Sequence, residues 1–255
     1  IKKGKIMLKR ILGIVVPLLT CTALVAQVNT DVYRVIYLKP KSGVMDELLT
    51  GMKEHNKKHH NKGIMKVRTY RVVSGEKAGW LVRTYGPMTW SQVDEFTDDA
   101  NSKAHRADGT KKITPYVEKR IGPSYWSPQE DLSHNRSSSS KPSKMTKVTY
   151  SHINNGTGGD FRELQRQFKE VHEKTNSKAS YTMGRLVHGG ELNTFATFRG
   201  MDSWADMAST GPSWSSRYNE VHGNDAWGRW LKRVQKVTKK RHDEMRVYLE
   251  DQSTR

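Results

Sequence analysis

The chain has 255 residues, 35% hydrophobic and 27% charged, and its 44 lysines and arginines against 26 acidic residues give a net charge of +18. A single cysteine, Cys21, excludes a disulfide framework and a paired-cysteine metal site built by this chain alone. The modest apolar content argues for thin layers of helix on sheet rather than one deep core.

From Met7 the chain carries the order of an export leader. Lys9 and Arg10 come first, then an apolar run over residues 11–19 broken by Gly13 and Pro17, then small residues up to Ala26. Residues 1–6 read as lying upstream of a start at Met7. The apolar run falls short of the roughly 20 residues a membrane-spanning helix needs. A cut before Gln27 removes five basic residues (Lys2, Lys3, Lys5, Lys9, Arg10) and no acidic ones, which leaves +13 and no cysteine. Leu18-Leu19-Thr20-Cys21 faintly resembles a lipoprotein cleavage box, an alternative that Thr20 fits poorly. The expected product is exported, periplasmic or extracellular, with no transmembrane segment. Its basic residues are spread along the chain, which reads as solubility. Anionic or apolar small molecules and envelope polymers are the expected partners, and nucleic acid is not.

Two halves then follow in the same order. Residues 32–38 and 147–153 are rich in β-branched and aromatic side chains and predict first strands. Met45, Leu48, Leu49 and Met52 give one helical stripe, and Phe161, Leu164, Phe168 and Val171 give its counterpart. Second strands are predicted over 66–73 and 180–187, and third strands over 79–85 and 194–199. Thr89 and Ser203 read as N-caps ahead of Trp90 and Trp204, which should anchor the following helix in the core. Longer helical stretches end near Lys119 and Lys236, and last strands run over 124–127 and 241–249. Residues 134–145 are rich in Ser and Lys and read as a solvated linker.

Self-comparison supports two copies. Val35, Tyr37, Gly43, Leu48 and His59 meet Val148, Tyr150, Gly156, Phe161 and His172 at an offset of 113. Arg71, Gly75, Gly86 and Trp90 meet Arg185, Gly189, Gly200 and Trp204 at an offset of 114. Each half therefore reads β-α-β-β-α-β, the ferredoxin-like pattern. The division is 1–26 upstream residues plus leader, 27–133 first unit, 134–145 linker and 146–255 second unit. In element order, short β2–β3 hairpin and Gly-x-x-x-Trp approach to the second helix, both halves resemble the dimeric α+β barrel superfamily. That superfamily includes the antibiotic-biosynthesis monooxygenase-like domains. The resemblance implies an α+β fold in which two ferredoxin-like units pack sheet against sheet within one chain. It also implies haem or oxygenase chemistry. Haem-degrading members use an Asn, a Trp and a His in one unit, a set with no match here. Chlorite-dismutase-like members are tandem with an axial histidine, for which His172 or His188 could be proposed.

The residues themselves offer two candidate groups. His55 and His59 share a helix face, His172 aligns with His59, and imidazoles can hold a metal or haem iron. Against ligation, His60, Lys57, Lys58 and Lys62 crowd the place with charge, and no acidic ligand stands at matching spacing. Tyr37, Tyr150, Arg71 and Arg185, if they face the space between the sheets, make a polar floor for an anionic or aromatic ligand. Trp80, present in one copy only, joins them. Trp214, Tyr218, Trp227 and Trp230 form a dense aromatic group, either a recognition surface or the packing of an irregular segment. No Ser-His-Asp order, phosphate loop or zinc-protease motif appears. The expectation is an exported binding module for a small apolar or aromatic ligand or an envelope partner, with no cofactor assigned and haem as the exception. The alternatives are a haem-handling or oxygenase-type enzyme and a self-assembling protein, whose unpaired strand edges could join copies together.

Overall fold

A computed structural model describes residues 31–136, 141–208 and 211–254. The leader, the Cys21 alternative and residues 137–140 of the linker lie outside the described residues. The first half runs β1 (Val32–Pro40), α1 (Met45–His59), β2 (Val67–Ser74), β3 (Leu81–Met88), α2 (Trp90–Asn101), α3 (Lys103–Lys112) and β4 (Val117–Pro128). The second runs β5 (Met145–Ile153), α4 (Gly158–Lys174), β6 (Thr182–His188), β7 (Thr194–Met201), α5 (Trp214–His222), α6 (Ala226–Val237) and β8 (Thr238–Tyr248). The strand orders are β4-β1-β3-β2 and β8-β5-β7-β6, and antiparallel β2–β8 and β4–β6 pairs close all eight strands into one barrel. The architecture is two ferredoxin-like units forming an intrachain dimeric α+β barrel. Closure removes the free sheet edges on which edge-to-edge assembly would depend.

Alternation along each strand supplies two apolar faces. Val35, Tyr37, Val72, Val82, Val148, Leu186 and Ala196 fill the barrel interior. Ile36, Leu38, Val67 and Leu81 face outward, where Leu48 and Met52 of α1 cover them. Phe161, Leu164 and Val171 of α4 do the same in the second unit. Each such side chain contributes about 1.5–3 kcal/mol on burial. Gly43 and Gly156 occupy the same turn in both copies at φ +75° and +81°, and an added Cβ would meet nothing within 4 Å, so backbone conformation alone selects glycine there.

Several expectations change. The helical stretch after Thr89 breaks at Ser102 and ends at Lys112, because Pro115 sits in a tight turn, Thr114–Tyr116, that leads into the longer strand β4. Thr89 is the expected N-cap and forms a capping box with Gln92. Ser203 heads only a single turn, Trp204–Met207, in which the Asp206 carboxylate accepts from the Ser203 amide. Trp90 and Trp204 are 43% and 55% exposed, so neither is a core anchor. The later aromatic group is packing: Tyr218 and Trp230 are buried in the second unit's core, with Trp214 and Trp227 against them. His134, expected in a solvated linker, is buried; it bridges to Tyr181 and stacks on His172 at 4.9 Å.

Candidate functional site

The pseudo-twofold relation of the copies brings Tyr37 and Tyr150 together inside the barrel, hydroxyl to hydroxyl at 2.6 Å. Two residues of β8 complete the group. Glu244 accepts from Tyr37 at 2.7 Å and from Arg246 Nε at 2.7 Å, and Arg246 Nη2 donates to both tyrosine oxygens at 2.6 Å. With Tyr37 donating to Glu244, Tyr150 donates to Tyr37, and none of the four side chains leaves a fully buried polar atom without a partner. Burial, opposed by Arg246, pushes Tyr150 up to about 12 and Tyr37 well above its usual range. Burial pulls Arg246 down, but Tyr150, Tyr37 and Glu244 outweigh it and raise it. The group is closed on itself, which is the signature of a satisfied core rather than of a reacting centre. Trp80 packs half-buried against the same interior cluster. Arg71 and Arg185 do not join it. They fall on the outward parity of β2 and β6 and are exposed, while Val72 and Leu186 take the inward places.

The titratable cluster sits instead between the first unit's helices and its sheet. His55 of α1, His60 just beyond it and His105 of α3 are 3%, 2% and 8% exposed. His55 Nδ1 lies 2.8 Å from Asp108 Oδ2, and His60 Nδ1 lies 2.9 Å from the Met65 carbonyl. Both acceptors can only accept, so each Nδ1 carries the proton and each Nε2 presents a lone pair. His105 Nε2 stands between them, 2.9 Å from His55 Nε2 and 3.3 Å from His60 Nε2. His59 flanks the group, its ring 4.8 Å from His105 and its Nε2 3.7 Å from Asp108. Burial, ahead of the opposing Asp108 hydrogen bond, brings His55 down to about 4. Burial and then Arg83 depress His60 far below the ordinary histidine range, and burial and then His59 lower His105. Burial acts upward on Asp108, yet hydrogen bonds from His55 and Lys112 hold its carboxyl low. His60 is thus a buried neutral ring, not part of a charged crowd, and α3 supplies the acidic partner that spacing within α1 did not show.

These imidazoles line a cavity of about 250 Å³ with Arg34, Arg83, Arg106 and Arg120 and the apolar walls Ile36, Leu38, Tyr85 and Phe96. None of its lining residues is acidic. Arg83 is 5% exposed, donates to Asn56 Oδ1 at 2.5 Å and leaves Nε unpartnered. The Arg34 guanidinium lies 4.8 Å from the Phe96 ring centre. Burial, then the neighbouring Arg34, lowers Arg120. A larger groove of about 980 Å³ follows the β2–β8 seam past Lys66, Arg68, Lys141, Lys144, Tyr248 and Glu250.

The second unit fills the corresponding space. At the shared offset of 113, Phe168 stands where the first copy has His55. It packs on Trp214 at 4.5 Å and Trp230 at 5.6 Å. Thr197 stands where the first copy has Arg83. His172 is 2% exposed and walled by Phe168, Trp214, Tyr181 and His134. Haem does not fit these residues. Rings occupy the space around His172 that a porphyrin would need, and in the first unit three Nε2 atoms crowd one point, whereas haem iron accepts imidazole only along its two axial directions.

No family model matches the sequence and no curated protein matches it. Among solved structures, a candidate monooxygenase from Fusobacterium nucleatum subsp. nucleatum superposes with a TM-score of 0.54 at 11% identity, covering 88% of this chain and 94% of that one. An anthrone oxidase-like protein gives 0.52 at 8% identity, covering 87% and 92%. A candidate chlorite dismutase gives 0.51 at 11% identity, covering 88% and 97%. At such identities the likeness is one of fold.

Proposed function

We propose that the first unit's cavity binds a small anion with an apolar or aromatic body, and that the protein oxidises it with dioxygen as the electron acceptor, a reading the monooxygenase and oxidase names among its structural neighbours support. One observation carries this reading: Arg83 is a buried guanidinium in a cavity whose lining offers it no carboxylate. A buried cation without a counter-charge costs several kcal/mol, which a bound anion would offset. Arg34, Arg106 and Arg120 add to the same potential, and Tyr85, Phe96, Ile36 and Leu38 provide the wall for an apolar body. Because aromatic rings fill the second unit's counterpart, one site per chain is expected. The leader pattern supports a site outside the cytoplasm. The second reading is a carrier that binds without turnover, favoured by the closed barrel cluster, which holds no free acid or base.

The test is a panel of small aromatic carboxylates and enolisable phenols, followed by calorimetry and by dioxygen uptake at an electrode. The expected result is saturable binding, weakened at least about tenfold in Arg83→Gln, with oxygen uptake on at least one member. Binding without uptake or product leaves the carrier. Binding unchanged in Arg83→Gln removes the site.

A further inference from the structure

We infer that His55, His60 and His105 are the protein ligands of one divalent transition-metal ion, whose open position faces the arginine-lined cavity. One ring nitrogen from each histidine lies within 4.8 Å of the other two, and the Nε2 of His105 stands 2.9 and 3.3 Å from the Nε2 atoms of His55 and His60. Around a tetrahedral zinc with bonds of about 2.0–2.1 Å, ligand nitrogens stand about 3.3 Å apart, which the two contacts at His105 already approach, while His55 and His60 must come to that spacing from within 4.8 Å.

The outer contacts point the same way. Metal-bound histidines almost always give their other N–H to a carboxylate or a carbonyl. Here Asp108 takes the proton of His55 and the Met65 carbonyl takes that of His60. Two of the three Nε2 lone pairs are therefore fixed in place, and the third ring turns its own Nε2 to the same point. Three imidazoles suit zinc, copper, iron or nickel and do not suit magnesium or calcium. Three ligands rather than four leave one position for a bound molecule.

Arg83 is the opposing charge, since it lines the same cavity as all three rings. A cation beside it gains from an anion that bridges the two, which is the ligand class argued above for the same cavity. The competing account needs no metal: the His105 N–H is shared between the two bare nitrogens as an ordinary hydrogen-bond network.

The experiment separates them. Full-length protein is stripped with a chelator, dialysed, and titrated with Zn2+ and with Co2+, with metal content read by mass spectrometry and cobalt coordination by visible absorption. The inference expects one ion per chain and the intense absorption of four-coordinate cobalt. His105→Gln and His60→Gln should each lose at least about 100-fold in affinity, and Asp108→Asn about 10–100-fold through ring orientation. His59→Gln should keep the ion. Circular dichroism establishes that each variant is folded, and the more peripheral His105→Gln serves if His60→Gln is not. Absence of stoichiometric binding, or binding unaffected by His105→Gln, overturns the inference. Loss in His59→Gln overturns this ligand set in favour of His55, His59 and Asp108. The inference shares its cavity with the proposed anion site but fails separately: aromatic carboxylate binding with no metal binding removes only the metal, and the reverse removes only the anion.

Discussion

Arg246 and Glu244 sit at the barrel centre with both tyrosines on them, so removing one charge leaves the other buried and unmatched. Arg246→Met is expected to cost about 3–5 kcal/mol in urea unfolding. A loss under about 1 kcal/mol would mean that Glu244 reaches water in the variant. His172 gives a pH-dependent counterpart. Burial, reinforced by His134 and Arg217, lowers it from 6.5 to about 4. Between those values the unfolded chain binds the proton and the folded one does not, so stability falls as pH drops from 6.5 towards 4. His172→Phe should flatten that part of the urea midpoint against pH, and an unchanged slope would assign the acid sensitivity elsewhere. Residues differ in how readable they were. Tyr37 and Tyr150 stand at one repeat position, and a twofold relation brings equivalent side chains together. Arg71 and Arg185 repeat just as well but lie one residue out of phase with the interior face, and both faces of these strands are apolar. Arg83 was readable in principle, because Thr197 replaces it in the second copy.

Among elements, α3 decides the site. It brings His105 and Asp108 onto α1, about 50 residues earlier in the chain, and no spacing rule applied within one helix can see that pairing. Gly51 sets the approach of these helices. A Cβ there would collide with the Lys112 backbone carbonyl at the end of α3. Gly51→Ala should therefore push α3 outward, cost about 1–3 kcal/mol by overpacking, and weaken carboxylate binding in the cavity. Normal affinity together with normal stability would show that α3 is not held by this contact. Strand and first-helix positions were legible because their apolar periods are regular. The second-helix region was not, because Pro115 and Ser102 cut α2 and α3 short, and in the second unit two short helices and a turn replace one long element.

At the level of the whole molecule, the β2–β8 and β4–β6 pairs make the two units one closed object. Unfolding either unit opens both seams. A single calorimetric transition is expected, with calorimetric and van't Hoff enthalpies equal, and two resolved transitions would contradict a shared barrel. The two-unit build also accounts for where the halves differ. The barrel interior is shared, so it stays filled and satisfied, whereas each helix–sheet layer belongs to one unit and can change alone. The first layer holds histidines and arginines around a cavity, and the second holds tryptophans and Phe168. The most direct test of that asymmetry is a crystal structure with a bound monocyclic aromatic carboxylate. The account predicts the ligand in the first unit's cavity, its carboxylate within hydrogen-bonding distance of Arg83. A ligand found only in the β2–β8 groove or in the second unit would contradict it.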